Sequence, residues 1–274
     1  MQVDRSVFYP PEEIFDAVES QLKLAEDNNE RVDYLTFVPD GEPTLDINLG
    51  EEIDLVKSLG KKIAVIQNSS LLWVEDVRNS LLKADWVSLK VDAVDQRTWR
   101  LVNRPHKDLK VKYVLDGIKE FASQFKGELA TETMVIHDSN DNTKELAEIA
   151  NFLKDVKPDK AYISIPTRPP AEKFVKAAEE SVINQAYQVF SERLERVEYL
   201  IGFEGDAFAY TGDVEKDLLS ITSVHPMREE SVDNLLSKAD SGWRVIEKLL
   251  KENKLIELEY RDKKFYMRKI SSRE

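Results

Sequence analysis

The sequence has no cysteine among its 274 residues. No disulfide can therefore form within the chain, and its own thiolates cannot hold a zinc ion or an iron–sulfur cluster. Histidine is also scarce, because His106, His137 and His225 are the only three, and their spacing does not match a metal-ligand motif. Neither a G-x-S-x-G motif nor a phosphate-binding glycine loop is present. These absences argue against hydrolysis by a Ser–His pair or by zinc.

Long apolar runs and a positive charge are lacking as well. No run approaches the ~18 consecutive apolar residues of a membrane span, and the N-terminus has no secretory pattern, so we expect a cytoplasmic protein without a membrane partner. Acidic residues outnumber basic ones by 52 to 39, which gives a net charge of −13. Residues 1–212 carry this excess. Such an acidic body argues against non-specific nucleic-acid binding by the main domain.

Strand and helix patterns alternate five times through the first part of the chain. The predicted strands are Tyr34–Val38, Lys62–Gln67, Ala84–Val91, Leu129–Ile136 and Lys160–Ile165. Amphipathic helices separate them, and a further strand is predicted at Val197–Phe203. This rhythm predicts a parallel α/β fold, either open or barrel-like.

The pattern changes near Asp213, where three helices are followed by a β-hairpin formed by Leu255–Tyr260 and Lys264–Lys269. That order is typical of a winged-helix domain. We therefore predict two domains, with a barrel-like domain at 1–205 and a winged-helix-like domain at 213–274. The stretch Trp243–Glu274 has ten basic and six acidic residues. It could serve an RNA partner, and a protein-interaction wing is an equally good interpretation.

Polar residues cluster where the predicted parallel strands end. The carboxyl ends of such strands lie along one edge of the sheet, where ligands bind. Singly, each residue is explained by ordinary turn chemistry, but jointly they favour a ligand site. Glu132 is the exception, because a carboxylate inside a buried strand needs a partner. Lys90 or a ligand could be that partner.

Several motifs, in order, resemble the radical S-adenosylmethionine (SAM) proteins. They are FYPPEEI, TFVPDGEPTL, IQNSSLLWVEDVR, VSLKVDAVDQRTWRLVNRPH and ISIPTRPPAEKFV. The branch most similar is that of the Fe–S oxidoreductases related to the wyosine tRNA-modifying enzymes. The similarity runs from about residue 5 to residue 175. It implies a partial (β/α)6 TIM barrel that binds SAM beside a [4Fe–4S] cluster on a CxxxCxxC loop, where SAM is cleaved to a 5′-deoxyadenosyl radical.

The resemblance also implies a set of SAM-binding residues. They are Gly41, Glu42, Pro43, Asn68, Ser69, Ser88, Asp92 and Glu132. The turn Gly41–Pro43 matches the one whose backbone receives the SAM amino group. Asn68, Ser69, Ser88 and Asp92 match positions near the methionine carboxylate or the ribose. Glu132 matches a position that lines the SAM or substrate cavity. No residue is assigned a catalytic or metal-binding role.

The sequence also departs from the family pattern. The CxxxCxxC loop and the strand before it are absent, and Ser69 stands where glycine is usual. Two interpretations remain open, namely a truncated chain of a working enzyme or a degenerate, non-catalytic paralogue that binds SAM, another nucleotide or nucleic acid. As given, the chain is not expected to make a radical. The missing strand also predicts an exposed apolar edge at Tyr34–Val38, which Met1–Tyr9 could cover or which could mediate dimerisation.

Overall fold

The structure, a computed structural model, describes residues 3–38, 41–200, 208, 210–224, 226–260 and 262–269. The chain divides into two compact units. The first comprises Met1–Asp16, Asp33–Pro166 and Glu172–Gly202, and the second comprises Ala17–Val32, Thr167–Ala171 and Phe203–Glu274. Within the described part of the chain, no helix is long and apolar enough to cross a membrane.

The first unit contains a six-stranded parallel sheet whose strands pair in chain order. They are β1 (Tyr34–Phe37), β2 (Lys62–Gln67), β3 (Trp86–Lys90), β4 (Glu128–Met134), β5 (Lys160–Ser164) and β6 (Val197–Leu200). The five predicted strands and the α/β fold are confirmed, with ends that differ by a few residues. The further predicted strand is confirmed as far as Leu200, since residues 201–203 lie outside the described ranges. Strand β1 is an edge of this sheet.

Helices alternate with the strands. They are α1 (Pro11–Asp27), α2 (Leu49–Lys57), α3 (Glu75–Leu81), α4 (Gln96–Val102), α5 (Val111–Gln124), α6 (Thr143–Val156) and α7 (Glu180–Ser191), with a 3-10 helix at Pro43–Leu45. Side-chain caps fix two of the starts. The Asp95 carboxylate accepts hydrogen bonds from the first amides of α4, and the Asn142 side chain accepts one from the amide of Glu145 in α6. Such caps satisfy donors that the helix itself leaves unpaired.

The two faces of the parallel sheet have different compositions. Odd-numbered strand residues such as Ile63, Val65, Val87 and Leu89 are apolar and fully buried. Even-numbered residues lie on the opposite face, because side chains alternate along a strand. On that face the register aligns charged and polar residues of neighbouring strands. We call it the polar face, and its members in β3–β5 include Ser88, Lys90, Glu132, Tyr162 and Ser164.

The C-terminal segment of the second unit contains, in its described residues, three helices and a small antiparallel sheet. They are α8 (Val214–Val224), α9 (Glu229–Lys238), α10 (Arg244–Lys251), β7 (Met227–Arg228), β8 (Leu255–Tyr260) and β9 (Lys263–Arg268), with sheet order β7-β9-β8. Leu218, Val232, Ile246, Leu249 and Tyr266 are buried in its core. The hairpin was predicted from the sequence, but strand β7 was not. The winged-helix assignment and the domain limits 1–205 and 213–274 stay predictions.

Candidate functional site

The eight residues proposed from the sequence lie at or near the carboxyl ends of β1–β4, within the first unit. They fall into two groups with different chemistry. We call the first the turn cluster, formed by Gly41, Glu42, Thr44, Gln67, Asn68 and Ser69. We call the second the lysine cluster, formed by Lys90, Asp92, Glu132 and Ser164. The remaining two proposed residues are Pro43, which begins the 3-10 helix, and Ser88, which lies on the polar face of β3.

The turn cluster is organised around the Glu42 carboxylate. One oxygen, Oε1, accepts hydrogen bonds from the Thr44 amide at 3.2 Å and from the Thr44 hydroxyl. The other, Oε2, accepts one from the Asn68 amide at 2.7 Å. Gly41 precedes it with φ of 138°, which favours glycine. Glu42 therefore ties the loop after β1 to the loop after β2.

Burial raises the pKa of the Glu42 carboxyl, although its hydrogen bonds with Thr44 and Asn68 favour the charged form. Both carboxylate oxygens already accept protein donors. The Glu42 side chain thus hydrogen-bonds to the two loops that follow β1 and β2. The assignment of Glu42 to the SAM-binding residues stays a prediction.

Two polar side-chain atoms in the turn cluster have no hydrogen-bond partner. The Gln67 side chain accepts a hydrogen bond from the Ser69 amide through Oε1 at 2.6 Å. Its Nε2 and the Ser69 hydroxyl are buried and find no partner among the described residues. Buried polar groups are normally satisfied by protein or water. Gln67 was missed from the sequence, and the signal for it was a polar residue at the end of the apolar run Lys62–Gln67.

The loop of Asn68 and Ser69 is held in an unusual conformation. Ser69 is almost completely buried and has φ of 67°, the left-handed region in which glycine is favoured. Gly117 of α5 lies against the same loop, because a Cβ there would come within 2.4 Å of the Leu72 carbonyl. The absence of a side chain at Gly117 thus permits the close approach of α5 that supports this loop.

The lysine cluster places one cation between two carboxylates. The Lys90 ammonium lies 2.7 Å from Glu132 Oε1 and 3.6 Å from Asp92 Oδ1. The Ser164 hydroxyl donates a hydrogen bond of 2.7 Å to the same Glu132 oxygen. Lys90 is therefore a partner of Glu132, one of the two alternatives left open by the sequence. This pairing explains how a carboxylate is accommodated within β4.

The charges in the lysine cluster influence one another strongly. Burial lowers the pKa of Lys90, but Asp92 and Glu132 outweigh it, so the net shift is upward and the ammonium stays charged. Burial raises the pKa of Asp92, against the opposing effects of Lys90 and the Met134 amide. Asp92 is thus a carboxyl group in which burial favours protonation.

Two asparagines hold Asp92 in place. The Asn103 amide donates to Asp92 Oδ2 at 2.7 Å, and the Met134 amide donates to Oδ1 at the same distance. Fully buried Asn140 donates to the backbone oxygens of Asp92 and Met134, each at 2.8 Å. Neither asparagine is among the eight SAM-binding residues that the resemblance implies. Their role depends on contacts between loops that are distant in the chain, which no local motif reveals.

The described residues do not provide a metal centre. No group of three or more His, Cys, Asp or Glu residues in this part of the chain is placed to hold a metal ion. Because the sequence has no cysteine, a thiolate-ligated [4Fe–4S] cluster does not fit the residues present. The polar atoms of the turn cluster suit a small polar organic ligand better.

Comparison with known proteins decides the family. The family model of the radical SAM superfamily matches residues 3–153, more than half of the chain. The chain belongs to the radical SAM superfamily. The resemblance in the motifs is thereby confirmed at the level of the superfamily, and the six-stranded parallel sheet is its barrel-like core.

One relative and two solved structures show how far the similarity extends. UPF0026 protein MJ1312 of Methanocaldococcus jannaschii is 47% identical over 275 residues, covering 99% of this chain and 85% of that protein. A radical SAM methyltransferase from Sphaerobacter thermophilus has a TM-score of 0.54 at 14% identity, covering 74% of this chain and 61% of its own. Streptococcus suis SuiB bound to S-adenosylmethionine has a TM-score of 0.53 at 15% identity, covering 74% and 45%.

These two solved structures show a shared fold. Coverage of other relatives is smaller, since the chain spans 60% of a Synechocystis UPF0026 protein and half of one from Helicobacter pylori. The activity of any whole relative therefore does not follow for this chain.

Proposed function

We propose that the first unit binds SAM along the carboxyl ends of β1–β4, as the cofactor-binding domain of an Fe–S oxidoreductase-like radical SAM protein. The observation that carries the proposal is a pair of buried atoms without a hydrogen-bond partner, Gln67 Nε2 and Ser69 Oγ, beside the turn Gly41–Pro43. Two such atoms within three residues are expected to face an acceptor. SAM has a carboxylate and ribose hydroxyls that accept hydrogen bonds from such groups.

In this proposal the two clusters have different roles. The backbone of Gly41–Pro43 receives the SAM amino group, and Asn68 and Ser69 approach the methionine carboxylate or the ribose. Ser88, Asp92 and Glu132 line the adjacent part of the site on β3 and β4. Lys90 limits the negative charge there, while Asn103 and Asn140 keep Asp92 in position.

No radical step is assigned to the residues of this chain, since no cysteine is available to hold a [4Fe–4S] cluster. When bound, SAM supplies a sulfonium centre and an adenosyl group. The second candidate function is SAM or nucleotide binding without radical chemistry, for which a chain without cysteine suffices. An RNA or protein partner for residues 213–274, and dimerisation through β1, remain further proposals.

A calorimetric titration with SAM tests the proposed function. We expect SAM to bind the folded wild-type chain, and Ser69→Ala to weaken binding about fivefold, since one neutral hydrogen bond contributes about 1 kcal/mol. Alanine, like serine, carries a Cβ and meets the same left-handed backbone conformation. The variant therefore measures the contribution of the hydroxyl alone. Ser70→Ala, one residue along, is the matched control and should bind as the wild type does.

Two outcomes of that titration would contradict the proposal. One is no binding of SAM to a protein whose circular dichroism shows it to be folded. The other is equal affinity of the Ser69→Ala and Ser70→Ala variants. Tighter binding of ATP than of SAM in the same titration would favour nucleotide binding without radical chemistry, which is part of the second candidate function.

A further inference from the structure

The first unit carries a concentrated basic surface, although the chain as a whole has a net charge of −13. Residues 97–112 contain six basic residues and one acidic residue. The basic residues are Arg97, Arg100, Arg104, Lys107, Lys110 and Lys112, all of them exposed. They lie on α4, on the loop after it and at the start of α5. We call this set the basic surface.

Most of this positive charge is not neutralised within the protein. Arg104 pairs with Glu172, and Lys112 pairs with Asp116. Among the described residues, no carboxylate lies within 4.0 Å of the cationic nitrogens of Arg97, Arg100, Lys107 or Lys110. Four exposed cations without a counter-charge in an otherwise acidic protein attract a polyanion rather than the remainder of the fold.

Hydrogen bonds join the three segments that carry the basic surface, namely α4, the loop after it and the start of α5. The Gln96 side chain accepts a hydrogen bond of 3.0 Å from the Val111 amide, which joins the start of α4 to the start of α5. The Arg100 guanidinium donates one of 3.1 Å to the Lys107 carbonyl, which fixes the intervening loop. The cations thus stand at set positions, as a chain of phosphates requires, and not on an unstructured tail.

An exposed aromatic ring lies among these cations. Tyr113 is 54% exposed, and the Lys110 ammonium lies 5.9 Å from the centre of its ring. Leu101 of α4 is exposed as well. Cations interleaved with an exposed aromatic side chain are the features with which proteins bind single-stranded nucleic acid, where phosphates pair with the cations and bases stack on the ring.

We propose that the basic surface binds single-stranded RNA, with its phosphates on Arg97, Arg100, Lys107 and Lys110 and a base stacked on Tyr113. An acidic peptide or an anionic membrane would use the charges but not the ring. A duplex keeps its bases stacked on one another and so leaves Tyr113 without a partner. Asn103 at the end of α4 contacts Asp92, so the bound strand would lie close to the lysine cluster. The proposal does not rest on SAM binding.

Fluorescence anisotropy with a labelled 20-nucleotide single-stranded RNA tests this proposal on the full chain. The key variant is Arg97→Gln/Lys107→Gln/Lys110→Gln, which spares Arg100 because its guanidinium supports the loop. We expect at least a tenfold loss of affinity at low salt. The slope of log K against log[salt] should become shallower by about 2, since each phosphate contact on a single strand contributes about 0.7.

A second triple variant controls for net charge. Lys126→Gln/Lys144→Gln/Lys154→Gln removes the same charge from exposed positions of the first unit, and its RNA affinity should stay within twofold of the wild type. Tyr113→Ala should lower affinity roughly tenfold through lost stacking, whereas Tyr113→Phe should not. SAM titration of the basic-surface variant should match the wild type, which separates failure of this proposal from failure of SAM binding.

Three outcomes would overturn the proposal. The first is no RNA binding by the wild type at low salt, and the second is an equal loss in the two triple variants. The third is tighter binding to polyglutamate-type peptides, duplex DNA or anionic vesicles than to the RNA, with no effect of Tyr113→Ala. Any of these would assign the basic surface to another partner or to none.

Discussion

The two halves of the candidate site use carboxylates in opposite ways. In the turn cluster, the Glu42 carboxylate accepts hydrogen bonds from amide and hydroxyl donors of the two loops, and no cation among the described residues pairs with it. In the lysine cluster, Asp92 and Glu132 are held by an ammonium group. The turn cluster also leaves the unpartnered atoms of Gln67 and Ser69, whereas the charged groups of the lysine cluster all have protein partners.

This difference indicates at which cluster a ligand would gain the most binding free energy. A ligand at the turn cluster meets buried polar atoms that have no hydrogen-bond partner among the described residues, so each new hydrogen bond is favourable. A ligand at the lysine cluster must compete with an existing ion pair. We therefore expect substitutions in the lysine cluster to act first on folding stability, and substitutions at Ser69 to act first on ligand affinity.

The largest effect is expected for Lys90→Met. It removes the ammonium group that lies next to Glu132 and to Asp92, which is only 3% exposed. Removing one partner of a buried ion pair costs about 3–5 kcal/mol, and we expect the lower end because Lys90 is 20% exposed. Urea unfolding at pH 7 measures the change. Lys144→Met on the exposed face of α6 is the control, and an equal loss in both variants would remove the distinction between the clusters.

Glu42→Gln should have the next largest effect. The amide group turns one acceptor into a donor that faces either the Thr44 donors or the Asn68 amide. A buried donor left without an acceptor costs about 1–3 kcal/mol. Urea unfolding again gives the value, with exposed Glu51→Gln as control. A Glu42→Gln protein as stable as the wild type would show that the carboxylate does not tie the two loops together.

Changing the pH tests a fourth carboxyl group, that of Glu52 in α2. Burial and the nearby charge of Asp46 raise the pKa of Glu52 to about 7. The folded state therefore keeps a proton that the unfolded state loses near pH 4.5, and stability falls as pH rises between these values. Glu52→Gln should be more stable than the wild type at pH 8, on the order of 1 kcal/mol after solvent screening, and similar to it at pH 4.

Unfolding midpoints of the Glu52→Gln variant across that pH range check this expectation. Exposed Glu51→Gln serves as the comparison, since it is adjacent in α2 but faces solvent. A pH-independent difference between Glu52→Gln and the wild type would mean that the carboxyl of Glu52 does not change its charge in this range.

The smallest effect is expected for Ser69→Gly. Glycine relieves the left-handed conformation of Ser69, and the gain is about 0.5–1 kcal/mol after glycine's larger unfolded-state entropy is counted. The variant should thus gain stability while it loses SAM affinity. Thermal unfolding and calorimetry check the two parts, with Ser70→Gly as control. Loss of both properties would show that the Ser69 hydroxyl stabilises the fold.

The sequence predicted the strands because each is a short apolar run bounded by turn residues. Lys62–Gln67 and Lys160–Ser164 are found where the pattern placed them. It also placed Glu42, Asn68, Asp92 and Glu132 near one edge, since parallel strands deliver their carboxyl ends together. These predictions needed only periodicity and chain order.

The remaining features of the fold and the site depend on contacts between distant parts of the chain, which hydrophobic periodicity does not reveal. Asn140 lies in a polar turn and resembles any turn residue, yet its amide joins the loops after β3 and β4. Strand β7 has only two residues and exists because β9 pairs with it. The basic surface was hidden by the average charge, because an overall value of −13 does not show how charges are distributed along α4 and α5.

Amide hydrogen exchange with and without saturating SAM shows whether SAM occupies the turn cluster. We predict slower exchange in residues 41–46 and 67–72, where the loops held by Glu42 surround the unpartnered atoms. We predict little change in α6, which is distant in the chain from both loops. SAM binding with protection confined to segments outside the turn cluster would contradict this prediction.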